Sequence, residues 1–441
     1  MKKSSTQTAF LDSPRGIIIA LGVLFLFRLG FGLCSNISGD DPRQTYLIGL
    51  KYYCTGSWPY FGPDVVEGMQ VPGALEGLVV GLPLRILPIP EAPFFLLNLL
   101  SFGALCLLAW YFSKRLSKFP KWLLWGWLMT APWTLDFSTN ILNASYVLFG
   151  SVLFFLGFFE TIPTLSLKII SPRFCFFMMG FGWLWIAQFH LSYVLLGPFI
   201  LFAFILQAKT RPSFLPASLA LFLLGCLASG SFLLPTYLKY GFHQGTGGTQ
   251  NALSFNPSNF LYFFTILLRY FSLASCEIPR FIGAHTNERL AFVKEYLWVA
   301  PFTLVAFVLG IIQPFVLWFS VIREKHPLKD WYPVKFLAWA TFFLIYMSFL
   351  FTIKAPASHT YYLVLPIVML YAFYVYAPWA SKNWFLNTAK VLLVCNLVFH
   401  VGLAFDNFQK KSLYKERDLI VRAMQEKNYH LMGERRTNAL Y

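Results

Sequence analysis

Long apolar segments without charge alternate with short polar segments along most of the chain. Residues 141–159 and 174–189, for example, contain no Asp, Glu, Lys or Arg. About 20 apolar residues of α-helix cross a bilayer core. Helices that are apolar on every side are buried or embedded in lipid, because a helix on the surface of a soluble domain needs a polar face. The pattern therefore predicts an all-α, polytopic membrane protein.

About eleven such segments are predicted to span the membrane. They are residues 16–33, 93–112, 122–133, 141–159, 174–189, 191–206, 214–234, 296–321, 336–351, 361–376 and 384–403. Composition agrees, because 57% of the 441 residues are hydrophobic and only 12% are charged. Arg28 interrupts the first segment near its end, where we expect its long side chain to reach the membrane interface.

Basic residues cluster between the apolar segments and set the topology. Lys2, Lys3 and Arg15 place the N-terminus in the cytoplasm, and the cluster at residues 114–121 is also predicted to be cytoplasmic. The net charge of +16 is explained by these clusters, so we predict no nucleic-acid partner. A first outer loop then covers about residues 35–92, and a second covers about residues 235–295.

Each outer loop contains a semi-apolar segment that is predicted to form a surface helix, such as residues 73–87. Residues 1–405 are predicted to form one transmembrane domain, followed by a short, basic, amphipathic tail at residues 406–441. Counting the spans places this tail outside, whereas its basic composition favours the cytoplasm. The side of the tail stays open at this point.

Two adjacent acids, Asp40 and Asp41, open the first outer loop. A carboxylate at a membrane boundary could act as a general base on an acceptor hydroxyl or could hold a divalent cation. The alternative is a solvated turn that caps a helix, with Pro42 at the first helical position. Trp58 and Tyr60 follow among other aromatic residues, which suit either an interfacial belt or a platform for a sugar ring.

Further polar residues fall at predicted outer turns, where polar side chains usually face a cavity or a partner. They are Asp136, Asn140, Gln188, His190, Arg280, Lys354, His359 and Tyr361. The cations could bind phosphate, as Lys and Arg commonly do. Contact with lipid headgroups is an equal alternative for Arg280, and a structural hydrogen bond is an alternative for His190.

The order of these motifs resembles the GT-C superfamily of membrane glycosyltransferases. The resemblance is carried by Asp40-Asp41, Gly56-Ser-Trp-Pro, Val71-Pro-Gly-Ala-Leu, Gln188-Phe-His-Leu-Ser and His359-Thr-Tyr-Tyr. The chain is most similar to the bacterial branch that is related to dolichyl-phosphate-mannose–protein mannosyltransferases and includes the lipid A aminoarabinose transferases. Tyr46 stands close to where that group has an aromatic residue.

This resemblance implies a polyprenyl-phosphate-linked sugar as donor and an inverting transfer. It gives Asp40 or Asp41 the role of general base, and it makes Arg43 and Lys354 contacts to phosphate. A divalent cation is possible, with no ligands assigned. The acceptor would be a lipid, a glycan or a protein, reached at the periplasmic face of a bacterial inner membrane among membrane lipids.

A glycosyltransferase that uses a lipid-phosphate sugar donor is therefore the predicted function. A transporter or flippase of lipid-linked saccharides is an alternative, and a ligase of such saccharides is another. A transporter predicts inverted repeats and charges buried within its spans. No repeat is visible in the sequence, and the charges lie mostly in loops, which favours the enzyme.

Overall fold

The computed structural model of the protein describes residues 14–35, 40–66, 69–241, 254–324, 326–353, 355–410 and 413–433, with the backbone alone described at residues 14, 40, 65, 66 and 69. The α-helices are α1 Pro14–Leu33, α2 Asp40–Thr55, α3 Leu75–Ile86, α4 Ala92–Arg115, α5 Lys121–Thr130, α6 Pro132–Asp136, α7 Val147–Thr161, α8 Pro172–Ala187, α9 Gly197–Thr210, α10 Leu215–Gly230, α11 Leu234–Tyr240, α12 Phe263–Phe271, α13 Ile278–Ile282, α14 Thr286–Glu295, α15 Ala300–Phe319, α16 Trp331–Phe349, α17 Leu365–Tyr376, α18 Asn383–Lys410 and α19 Leu413–Gln425.

Short 3₁₀ helices join many of these helices. They are Asn143–Tyr146, Leu191–Leu196, Pro212–Phe214, Ser231–Leu233, Pro257–Tyr262, Ser275–Glu277, Ser320–Ile322, Ser358–Val364, Ala377–Trp379 and Tyr429–Met432. An antiparallel hairpin of β1 Phe61–Val66 and β2 Met69–Pro72 precedes α3. This hairpin is not predicted from the sequence, because its strands are short and lack a regular alternation of apolar and polar residues.

Within the described ranges, nine helical segments are long and apolar enough to cross a membrane, and a helix pair bent by 109° would make ten. Two of the eleven predicted spans are not among these nine, namely residues 122–133 and 174–189. These residues form α5, of 10 residues, and α8, of 16, which are both shorter than a typical span of about 20. Helix α5 ends at Thr130, because Ala131 precedes Pro132 and a residue before proline disfavours helical backbone. The chain is a polytopic, all-α membrane protein, as its sequence predicts.

Helices α7, α8 and α10 pack at close backbone distance through glycines. A Cβ atom added at Gly180 of α8 would lie 2.0 Å from the carbonyl oxygen of Phe222, and one added at Gly225 of α10 would lie 2.1 Å from that of Phe177. Membrane helices lack a hydrophobic driving force for association, so small residues that allow close packing stabilise them. These glycines let α8 pack closely between α7 and α10.

Arg28 differs from its predicted position at the membrane interface. Its side chain is completely buried. The guanidinium donates to the carbonyl oxygen of Met129 at 2.8 Å, to that of Thr134 at 3.0 Å and to the hydroxyl of Ser138 at 2.6 Å. These acceptors lie in and after α5, where the helix breaks and frees its carbonyl groups. Arg28 therefore stabilises the break between α5 and α6. The expectation that its side chain reaches the membrane interface is wrong.

The helix bundle has two chemically distinct ends. At one end, Arg115 forms an ion pair with Asp330 at 2.6 Å, and Tyr111 donates to Glu160 at 2.8 Å. We call it the Arg115 end, and the basic cluster of residues 114–121 belongs to it. The opposite end, called the Asp41 end, carries α2, the hairpin, α3 and the C-terminal helix α19.

Candidate functional site

A cleft at the Asp41 end is built on one face of α2. Gln44, Ile48 and Lys51 line this cleft, which has a volume of about 200 Å³. Residues three or four positions apart share one face of a helix. Asp41 precedes Gln44 by three positions, so it extends the cleft-lining face towards the N-terminus of α2.

The remaining walls of the cleft come from the segment around the hairpin and from α11. They are formed by Ser57, Trp58, Pro59, Tyr60, Gln70, Lys239 and Tyr240. The Lys239 ammonium lies 4.2 Å from the centroid of the Tyr60 ring and 5.2 Å from that of Tyr240. The indole N–H of Trp58 is buried and has no hydrogen-bond partner among the described residues. Aromatic faces with a few polar groups and cations suit a sugar that carries a phosphate.

The acidic pair forms the first turn of α2. The Asp41 side chain is exposed, and only the backbone is described at Asp40. The helix macrodipole favours carboxylates in a first turn. A structural role is therefore compatible with both acids, and the catalytic role stays a prediction. By its spacing from Gln44 each acid shares the cleft-lining face of α2, and Asp41 is the one whose side chain the structure describes.

Glu76 is a third carboxyl group at this end, and the sequence analysis did not select it. It is completely buried in the first turn of α3, and its Oε1 atom accepts a hydrogen bond from the Thr45 hydroxyl at 3.1 Å. Its Oε2 atom has no partner in the described part of the chain. Burial, with a smaller contribution from the Asp41 carboxylate, raises the pKa of Glu76 well above its ordinary value of 4.5. The available sequence signal was a lone acid in the apolar segment 73–87.

A second group of charged residues surrounds Glu277, which the sequence analysis also missed. Its Oε1 atom lies 3.0 Å from the guanidinium of Arg269 and 3.0 Å from that of Arg280, and its Oε2 atom accepts a hydrogen bond from Ser358. Two cations share one carboxylate here. The Arg280 side chain is 53% exposed, so its guanidinium is open to an anion. Sequence spacing could have suggested the Glu277–Arg280 pair, since the two are one helical turn apart.

Asp136 lies inside the bundle, in contact with a histidine of α18. The Asp136 carboxylate is 3.2 Å from Nε2 of His400, and Nδ1 of His400 is 2.6 Å from the carbonyl oxygen of Asn396. The Asn140 amide donates to the backbone carbonyl of Asp136 at 3.0 Å. The structure thus brings Asp136 and Asn140 together and adds His400, which is completely buried.

Three of the predicted residues lie between the hairpin and the groups around Asp136 and Glu277. They are Gln188, His190 and His359. The ring centroids of His190 and His359 are 6.0 Å apart. The Gln188 amide donates to the Ser229 carbonyl at 2.8 Å, and a Cβ atom added at Gly73 would lie 3.0 Å from its amide oxygen. Nδ1 of His190 is 2.8 Å from the Ser192 hydroxyl, which agrees with the structural alternative for this histidine.

Several predicted binding residues use their polar groups within the protein or are completely buried. Arg43 pairs with Glu416 of the C-terminal helix at 2.8 Å, and the Tyr46 hydroxyl donates to the Pro90 carbonyl at 2.9 Å. Tyr361 is completely buried against Trp133, with ring centroids 5.8 Å apart. Roles in substrate binding for these residues stay predictions.

Two further expectations concern Lys354 and a divalent cation. Lys354 lies outside the described residues. Across the described ranges, no three side chains of His, Cys, Asp and Glu come together as ligands for a metal. The divalent cation therefore stays a prediction without assigned ligands.

The architecture is shared with a known membrane protein. The crystal structure of ArnT from Cupriavidus metallidurans bound to undecaprenyl phosphate matches the chain with a TM-score of 0.53 and 11% sequence identity, over 95% of this chain and 78% of ArnT. No protein-family model matches the sequence, and no curated protein sequence matches it. The chain therefore has an all-α membrane fold like that of ArnT, which confirms the fold that the sequence predicts.

Proposed function

We propose that the protein is a glycosyltransferase that moves a sugar from a polyprenyl-phosphate donor to an acceptor at the outer face of a bacterial inner membrane. The observation that carries the proposal is the fold shared with ArnT over 95% of the chain. The ArnT structure holds undecaprenyl phosphate, which is a polyprenyl phosphate. Because one fold can host several activities, the side chains at the Asp41 end provide the second line of support.

Asp41 is the proposed general base. Its carboxylate accepts the proton of the acceptor hydroxyl while the acceptor oxygen bonds to the anomeric carbon of the sugar. The bond from that carbon to the phosphate oxygen breaks in the same step, and polyprenyl phosphate leaves. A single displacement of this kind inverts the anomeric carbon. The exposure of Asp41 and its place on the cleft-lining face of α2 support this role.

The cations near the cleft are proposed to stabilise the leaving phosphate, on which negative charge grows during the transfer. Lys239 and Lys51 line the cleft, and Arg280 adds a further exposed positive charge beside Glu277, which also accepts a hydrogen bond from Ser358. Trp58 and Tyr60 are proposed to hold the sugar ring. This assignment keeps the roles that the sequence predicts for Trp58, Tyr60 and Arg280 and adds the two lysines.

The test uses the purified protein in nanodiscs with polyprenyl-phosphate sugars supplied one at a time. Asp41→Asn is compared with wild type and with Asp418→Asn, which makes the same chemical change at an exposed position of α19. We expect Asp41→Asn to lower turnover by about 100-fold or more while donor binding persists, because general bases contribute about 10² to 10⁴ to rate. Asp418→Asn should keep wild-type turnover.

Three outcomes contradict parts of the proposal. Normal turnover in Asp41→Asn removes the catalytic role from Asp41 and makes Asp40→Asn the next variant to measure. Donor binding without consumption of any donor contradicts the enzyme, and movement of intact donor between leaflets then identifies a flippase. Transfer of a whole lipid-linked glycan in place of a single sugar identifies a ligase.

A further inference from the structure

The C-terminal tail, defined here as residues 413–433, packs along α2, the helix that carries Asp41. It consists of α19 and the 3₁₀ helix Tyr429–Met432. Its apolar face is buried through Leu413, Ile420, Ala423, Met424 and Met432. Burial of apolar surface stabilises such a contact by about 25 cal/mol per Å². The tail is therefore part of the folded structure at the Asp41 end.

Arg43 joins the tail to the first turn of α2. Its Nη1 atom donates to both carboxylate oxygens of Glu416, at 2.8 and 3.1 Å, and its Nη2 atom donates to the carbonyl oxygen of Met432. The Arg43 and Glu416 side chains are 18% and 23% exposed, so salt screens this pair less than a fully exposed one. Arg43 follows Asp41 by two positions. Both parts of the tail thus hold the turn on which Asp41 lies.

Contacts at the other end of α2 continue the same interface. The Lys427 ammonium lies 3.5 Å from the centroid of the Tyr53 ring, and the Cys54 thiol donates to the Ala423 carbonyl at 3.6 Å. Lys51, which lines the cleft, lies with its ammonium 5.5 Å from the centroid of the Tyr429 ring. The tail therefore contacts α2 from its first turn to its last and also contacts a residue of the cleft.

A further ion pair fixes the tail to the transmembrane bundle. The Arg417 guanidinium lies 2.7 Å from the carboxylate of Glu91, which immediately precedes α4. Because the tail is held both to α4 and to α2, it sets the position of α2 relative to a spanning helix. Residues Glu416 and Arg417 are adjacent and carry the two connections.

We infer that the tail is a positioning element for the site, in which Glu416 and the Met432 carbonyl hold Arg43 and thereby fix the direction of the Asp41 carboxylate relative to the cleft. This inference rests on the proposed function for its catalytic consequence. A shift of about 1 Å in a reacting group can lower a rate by about 100-fold, so a tail that fixes the first turn of α2 affects turnover more than donor binding.

The test compares Glu416→Gln with Glu426→Gln in the full-length protein. Glu426 immediately follows the same helix, and its ion pair within the described residues is with Arg422 at 2.7 Å, so it is a matched control. Hydrogen exchange of residues 40–55 is measured together with kcat and donor affinity. In Glu416→Gln we expect exchange in the first turns of α2 to be up to about fivefold faster and kcat to be about tenfold lower. Donor affinity should be unchanged.

A second variant protects the test against simple misfolding. The double change Arg43→Glu with Glu416→Arg reverses the ion pair and should recover much of the exchange protection that each single change removes. Wild-type exchange in Glu416→Gln overturns the inference, and so does altered exchange with unchanged kcat. If the wild type consumes no donor, the proposed function is wrong. The hydrogen exchange of residues 40–55 still tests whether the tail holds α2.

Discussion

At the scale of single residues, three carboxyl groups at the Asp41 end have different surroundings. Asp41 is exposed, Glu76 is completely buried, and Glu277 lies 3.0 Å from each of two guanidinium groups. A carboxylate that leaves water without a partner is strongly destabilised, whereas pairing with cations offsets this effect. Glu76 is therefore expected to keep its proton, whereas Glu277 is paired with two cations. Asp41, which water reaches, is the group best suited to accept a proton.

The buried Glu76 predicts a pH dependence of stability. Its pKa in the folded protein is raised above 4.5 by burial, so the folded state keeps a proton that the unfolded state releases. The stability contributed by Glu76 is complete below about pH 4.5 and is lost as pH rises towards the raised pKa. Glu76→Gln removes this dependence, so its melting temperature relative to wild type should rise between about pH 5 and about pH 8.

The measurement is thermal unfolding in detergent at both pH values, with Glu426→Gln as an exposed control. The control should follow wild type at both values. If the difference in melting temperature between Glu76→Gln and wild type is the same at both pH values, the Glu76 carboxyl does not titrate between them.

Lys239 predicts an effect on donor binding, because its ammonium faces the cleft beside two aromatic rings. Lys239→Gln should raise the dissociation constant of the polyprenyl-phosphate donor about tenfold, since a hydrogen bond to a charged group contributes about 1.5 kcal/mol or more. Lys209→Gln, at an exposed position of α9, should leave donor affinity unchanged. Equal affinities in wild type and Lys239→Gln would remove Lys239 from the donor site.

At the scale of elements, close packing of helices decides which changes the bundle tolerates. The contact between α8 and α10 depends on Gly180, where a Cβ atom would approach a carbonyl oxygen to 2.0 Å. Backbone atoms move only if the helices separate. By contrast, a Cβ atom added at Gly103 of α4 meets nothing within 4 Å.

Gly180→Ala is therefore expected to destabilise the protein, by about 1–3 kcal/mol for an overpacked contact. Gly103→Ala is the matched control and should be neutral or stabilising by up to about 1 kcal/mol, because alanine favours helix more than glycine does. Thermal unfolding of both variants in one detergent checks the difference. A Gly180→Ala protein as stable as Gly103→Ala would mean that α8 and α10 are not packed this closely.

At the scale of the whole molecule, the contacts of the tail predict which side of the membrane it faces. The tail contacts α2 at the Asp41 end, whereas the basic cluster 114–121 belongs to the Arg115 end. Residues at opposite ends of spanning helices face opposite sides of the membrane. The tail is therefore predicted to lie across the membrane from this cluster, on the outer side that counting the spans gives, and the ion pair of Arg417 with Glu91 offsets part of the basic charge of the tail.

Cysteine labelling checks this topology. In a background in which the seven native cysteines are replaced, single cysteines are introduced at the exposed positions Lys415 and Lys118. A membrane-impermeant maleimide added to intact cells should label Lys415→Cys, and it should label Lys118→Cys only after the membrane is permeabilised. Labelling of both positions in intact cells, or of Lys118→Cys alone, would contradict the arrangement.

The hydrophobic pattern was sufficient to predict the class of fold and most spans, because spanning a bilayer depends on local length and polarity. It also identified the first outer loop with Asp41, Trp58 and Tyr60, which the structure places on or beside one cleft. It extended the segment 122–133 beyond the end of α5, because apolar composition alone does not show that Pro132 ends the helix.

The sequence by itself determined that this is an all-α membrane protein with an acidic pair soon after its first span, since these features depend on neighbouring residues. Only the tertiary structure decided which charged groups meet. Arg43 pairs with a residue 373 positions away, and Asp136 contacts a histidine 264 positions away. The same holds for the burial of Arg28 and Glu76. Partners and burial depend on how distant helices pack, and local patterns of polarity do not contain that information.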